Sequence, residues 1–234
     1  NHLEECLQDI LHYEDLDGII EDLMESRREI GEGVKRQAKE LSELRKQAAE
    51  RLVEAVSDEL RFLDMPNVRL AFDIKQDKIG INGMDIVEML ISVNKGEEPK
   101  PINKVASGGE LSRIMLAIKN VLAETDSIPT MIFDEIDTGI SGRAAQKVGI
   151  KLSEAAQKRQ TLCVTHLAQI AAMADTHILI EKTSDDKRTY SNVKPLDFEG
   201  RKHELARIID GDGQSETALA SAEEMLKRRQ EAGR

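Results

Sequence analysis

From Ser107 onward helix-forming segments alternate with short apolar strands, and that alternation constrains the fold more than any other feature of the chain. The pattern predicts helices over 107–124, 141–157 and 168–174, and strands over 130–133, 161–165 and 177–181. Parallel strands need crossover connections of about this length, so the fold class is α/β, a largely parallel sheet with flanking helices. In an open sheet of this kind ligands gather outside the carboxyl ends of the strands. Asp134-Glu135 follows the first strand and Thr165-His166 the second, which predicts that both lie along one rim.

Upstream the periodicity changes. No Gly or Pro interrupts residues 34–65, where Leu41, Leu44, Ala48, Leu52, Val56, Leu60 and Leu63 recur at steps of 3 or 4. This is one long amphipathic helix of roughly 48 Å. A strict heptad fails, because Arg51 and Asp58 fall where a seam needs apolar residues. Residues 3–30 are acidic and helix-prone, with Gly18, Gly31 and Gly33 expected as breaks. Pro66-Asn67 ends the long helix, strands are expected over 68–74 and 86–93, and 95–103 reads as a loop. Asp185-Asp186-Lys187 reads as a hairpin turn, and helices over 201–209 and 216–230 follow. The expected division is a helical arm over 1–65 and a globular lobe over 66–234.

Composition narrows the function classes. At 234 residues and 40% hydrophobic, the chain can bury one substantial core with an appendage. A net charge of -11 argues against attraction of the whole surface to nucleic-acid phosphates, and 3% aromatics without Trp argues against a base-stacking platform. Local clusters such as Lys35-Arg36 and Lys227-Arg228-Arg229 read as solvated helix faces. Cys6 and Cys163 give no disulfide framework, and His2, Cys6 and His12 lack the paired spacing of a zinc site. No apolar run reaches bilayer length and no basic-then-apolar leader opens the chain, so a soluble cytoplasmic protein is expected. An opening Asn1 rather than Met suggests a piece of something longer.

Three short stretches carry chemistry. An Asp followed by a Glu at a strand end supplies two carboxylates of different aim: Asp134 can hold Mg²⁺, usually through water, while Glu135 reaches a water that attacks a phosphoryl group. His166 can then hydrogen-bond the terminal phosphate or that water. Ser107-x-x-Glu110 before an apolar run is also an ordinary capping box. Gly108 and Gly109 add that no side chain keeps an anion from the amides of the helix start. Taken singly, Asp134 to Asp137 is also a solvated acidic turn and His166 a structural histidine; their shared order and position favour the chemical reading.

These residues resemble the ABC-type ATPases and, within them, the SMC-like group of chromosome-maintenance and DNA-repair proteins. Ser107 to Glu110 is similar to the ABC signature, Met131 to Glu135 to the Walker B strand with its catalytic glutamate, Asp137 to Gly142 to the D-loop, and Thr165-His166 to the switch histidine. The resemblance covers residues 100–230 well and the arm loosely. It implies a composite site, in which the signature of one head presses on the γ-phosphate of ATP held by the P-loop of a second head in a homodimer. Glu135 and His166 are then catalytic, Asp134 supports Mg²⁺, and Ser107, Gly108, Gly109, Glu110 and Asp137 bind the nucleotide. The resemblance also implies that DNA is a partner, that the location is the bacterial nucleoid, and that the long helix is the returning strand of a coiled coil.

No G-x-x-x-x-G-K-[ST] occurs in the chain. The chain therefore looks like the carboxyl-terminal half of a head, inactive without an N-terminal P-loop half. The D-loop, lacking the Ser-Ala-Leu-Asp typical of transporters, points away from membrane transport. Two alternatives stay open: a non-enzymatic scaffold or regulatory fragment pairing through its arm, and a stand-alone metal-dependent phosphohydrolase.

Overall fold

The computed structural model describes residues 2–104, 108–123, 125, 127–184, 188–213 and 215–232. The chain divides into two compact units, Asn1–Arg51 with Ala71–Leu90, and Leu52–Leu70 with Ile91–Arg234.

The first element, α1, runs as a single helix over His2–Phe62, roughly 90 Å at 1.5 Å per residue. The breaks expected at Gly18, Gly31 and Gly33 do not occur. A helical glycine costs only about 1 kcal/mol relative to Ala, and the long run of helix-forming neighbours absorbs that. In the first unit, α1 packs against a hairpin of β1 (Arg69–Gly80) and β2 (Gly83–Ser92). Asp85 is the anchor: it accepts from Ser42 Oγ at 2.7 Å and from Arg45 Nη1 at 3.0 Å, while Arg45 Nη2 donates to Asn82 O at 2.7 Å. The hydrogen bond from Ser42, with help from Arg45, holds the Asp85 carboxyl below the usual carboxylate range. Gly83 has φ 90°, so the turn calls for glycine.

The second unit carries the α/β fold. After β3 (Lys100–Pro101) and a 3₁₀ turn over Ile102–Lys104 come α2 (Gly108–Val121), β4 (Thr130–Phe133), α3 (Gly142–Ala156), β5 (Gln160–Cys163) and α4 (Ala168–Ala171). Strands β4 and β5 pair in parallel, with Thr130 opposite Gln160 and Phe133 opposite Cys163. Met131 and Phe133 are buried on the same strand face, and the apolar stripes of α2 (Ile114, Leu116, Ala117) and α3 (Ala145, Val148, Leu152) are buried in the same unit. On the opposite face of the strands Ile132 is 73% and Val164 57% exposed, with Leu162 also exposed.

The strand expected over 177–181 departs from the parallel pattern. As β6 (His177–Ser184) it pairs antiparallel with β7 (Thr189–Leu196). The turn expected at 185–187 lies outside the described residues, but its flanks, Ser184 and Thr189, are partners. Helices α5 (Phe198–Asp210) and α6 (Glu216–Ala232) close a small core with α4, built on Ala171, Ala172, Leu205, Ala206, Ala222 and Leu226. Alanines permit this close stacking of short helices.

The last turn of α1 is fastened to α3. Lys151 Nζ donates to Glu59 at 2.9 Å and to Glu154 at 2.8 Å, Lys147 Nζ to Asp64 at 2.7 Å, and both ammoniums lie over the Phe62 ring at 4.8 and 5.4 Å from its centroid.

Candidate functional site

The carboxyl ends of β4 and β5 meet the start of α2. Asp134 is exposed at the end of β4, where its Oδ1 accepts from the Glu135 amide at 2.9 Å. Glu135 is exposed and holds φ 57°, an unusual conformation for a residue with a Cβ. Residues forced into this region gather at functional sites, because something else in the fold must hold them there.

Asp137 is only 3% exposed, and one of its oxygens joins the two strand ends. Oδ2 accepts from Thr165 Oγ1 at 2.6 Å and from the His166 amide at 2.8 Å, with His166 Nδ1 3.1 Å away. The His166 ring is 74% exposed. Asp137 thus fixes the base of His166 while the ring edge remains open to solvent.

The helix start closes the third side. A Cβ at Gly108 would stand 2.8 Å from Glu135 Oε2, and one at Gly109 would stand 2.9 Å from both Cβ and O of Thr138. Gly109, faced by the backbone of Thr138 and Glu135, therefore lets α2 approach the acidic loop of its own chain, a use beyond the anion access expected from sequence. A carboxylate is also favoured beside the positive end of a helix. Gly108 is exposed, Glu110 half-buried, and Ser107 lies outside the described residues.

Cys163 reports the charge of this rim. Burial first, then Asp137 and Asp134, pushes its thiol from 9.0 up to about 12.

Sequence reasoning missed Ser112 and Arg113. Ser112 Oγ donates to Asp134 O at 3.1 Å, and Arg113 Nη1 to Ile136 O at 3.1 Å and Thr138 O at 2.9 Å. Arg113 is 6% exposed, and an arginine inside the apolar stripe of α2 was the signal that could have found it.

The fit to a magnesium-bound phosphate can be judged from the donor set. Asp134 offers hard carboxylate oxygen at an exposed edge, and Mg²⁺ keeps several waters and takes oxygen from phosphates. Among the described residues no group of three or more His, Cys, Asp or Glu forms a cage. The exposed carboxylate of Asp134 fits an ion held by one protein oxygen together with its substrate. Also among the described residues, no helix is long and apolar enough to cross a membrane.

No protein-family model matches the chain. Among curated proteins it is 45% identical over 203 residues to the DNA repair protein RecN of Streptomyces coelicolor, covering 81% of this chain and 36% of that one. It is 37% identical over 236 residues to the DNA repair protein RecN of Bacillus subtilis, covering 94% of this chain and 41% of that one. The chain therefore spans well under half the length of these relatives. Among solved structures it resembles the Smc head domain of Pyrococcus furiosus with an extended coiled coil, bound to the C-terminal domain of ScpA. That likeness has a TM-score of 0.57 at 22% identity, over 80% of this chain and 45% of that one. The Smc head domain with coiled coil and joint from Pyrococcus yayanosii gives 0.52 at 21%, over 72% and 30%.

Proposed function

The chain belongs to the RecN family of SMC-like ATPases, and from that premise we propose that it is the carboxyl-terminal part of an ATPase head that works in DNA double-strand-break repair and recombination. It completes a composite site: an N-terminal P-loop half supplies the phosphate cradle, and a second head presses its signature on the nucleotide. The observation that carries this reading is the convergence of Glu135, Asp137 with His166, and Gly108 at one rim.

Each residue has a part in that reading. Asp134 holds Mg²⁺, which when bound neutralises charge developing on the phosphates. Glu135, exposed and held at a fixed backbone angle, orients the attacking water. His166 donates toward the terminal phosphate, and Asp137 acts by anchoring it. Ser107 to Glu110 meets the nucleotide of the second head.

The bare face of the parallel pair supports a missing half. Parallel sheets are covered on both faces, yet Ile132 and Val164 here face solvent. We assign that face to the P-loop half. DNA as the substrate, the head dimer and an arm serving as one strand of a coiled coil rest on the family.

The test is reconstitution. Joined to the P-loop half of a RecN relative, the chain is expected to gain Mg²⁺-dependent ATPase activity. Glu135→Gln is expected to lower kcat by at least about a hundredfold while nucleotide binding persists. A reconstituted head that binds no ATP would favour a scaffold, and turnover of phosphoesters by the chain alone would favour a stand-alone hydrolase.

A further inference from the structure

The loop from Asp134 to Thr138 carries the chemistry, and each of its carbonyls accepts a hydrogen bond. Two are satisfied by amides three residues on, Glu135 O by Thr138 at 3.1 Å and Asp137 O by Ile140 at 3.3 Å. The other three are taken from α2: Asp134 O by Ser112, and Ile136 O and Thr138 O by Arg113. One guanidinium nitrogen thus grips the carbonyls on either side of Asp137. Its two hydrogens diverge, so a single Nη1 can serve two acceptors that lie two residues apart.

Burying a cation in this way is costly. Among the described residues Arg113 makes no ion pair with a carboxylate, and its Nε is buried without a partner. Burial pulls the guanidinium below its usual range, and Glu110 acts in the opposite direction. Arginine nevertheless stays protonated. A leucine or methionine would fill the stripe of α2 at lower cost, so the cation earns its place through what it holds.

We infer that Arg113 is a positioning residue for hydrolysis, which fixes the loop so that Glu135 keeps its left-handed backbone and Asp137 keeps its grip on His166. The inference rests on the nucleotide reading above and deepens it. Arg113 acts through the carbonyls of Ile136 and Thr138, on either side of Asp137. It also ties the helix that begins at the signature to the loop that carries the carboxylates.

The experiment has two arms. In the reconstituted head, Arg113→Ala is expected to lower kcat roughly tenfold or more, the scale of losing a charge-assisted hydrogen bond, with KM for ATP nearly unchanged. Arg113→Lys, which keeps the cation but reaches one carbonyl, is expected to fall between the two. Arg228→Ala, on an exposed stretch of α6, serves as the unaffected control. In the chain alone, hydrogen exchange is expected to quicken at the Thr138, Ile140 and His166 amides in Arg113→Lys, while those of β4 keep their rates. If the Ala variant fails to fold, the Lys variant carries both arms.

A wild-type reconstituted head that does not hydrolyse ATP removes the nucleotide reading itself, whatever Arg113 does. A head that hydrolyses while both Arg113 variants match its kcat overturns this inference alone. So does exchange that quickens uniformly across the second unit, which would make Arg113 an ordinary core support.

Discussion

At the scale of single residues, the site is governed by close approach. Gly109→Ala would push a methyl against Thr138 and is expected to cost about 1–3 kcal/mol, read as a lowered urea midpoint at unchanged m-value. Cys163 offers a pH test. Its thiol is raised from 9.0 to about 12 by burial and by Asp137 and Asp134, so the folded state keeps the proton longer than the unfolded one. The associated stability is full below pH 9 and is lost as pH rises toward 12. Denaturant melts of wild type and Cys163→Ser from about pH 8 to about pH 11 are expected to converge as that contribution disappears. That Asp134, Glu135 and His166 share one rim was legible because they follow the ends of neighbouring strands, where ligands of a parallel sheet gather. The burial of Asp137 and its hold on Thr165 and His166 were not. Spacing along a chain says which groups share a rim, while hydrogen-bond partners depend on side-chain directions set by packing.

At the scale of elements, the sequence located β4 to the residue and both helices beside it within a few positions, because apolar strands flanked by amphipathic helices leave little choice of period. It misjudged glycine in α1. Gly18, Gly31 and Gly33 are helical, with nothing within 4 Å of where a Cβ would stand. Gly18→Ala is therefore expected to stabilise α1 by about 0.5–1 kcal/mol, measured by thermal melting followed at the helix band. It also set β6 within the parallel alternation, whereas its own reading of 185–187 as a hairpin turn implied the antiparallel pairing with β7 that the structure shows. The fastening of α1 to α3 depends on Lys151. Burial pulls its ammonium down, but Glu154 and Glu59 outweigh that and hold it above the usual lysine range. Its contribution is therefore present below pH 10.5 and fades as pH climbs past that value. Lys151→Met keeps the packing but strands Glu59, and is expected to cost about 1–3 kcal/mol, read by denaturant melting at neutral pH.

For the whole molecule, the family relation and the open strand face point the same way. Ile132→Glu is expected to leave the fold of the chain intact, because the side chain already faces solvent, and to abolish union with the P-loop half. Comparative titration calorimetry of wild type and variant against that half checks it; equal affinity would mean that the face lies elsewhere in the assembled head. The row formed by Ile132, Leu162 and Val164 has a practical consequence as well. Purified by itself, the chain will stay monodisperse only while dilute. Sticky strands of this sort find one another first, and a mild detergent should extend its shelf life further than added salt, which drives greasy surfaces together.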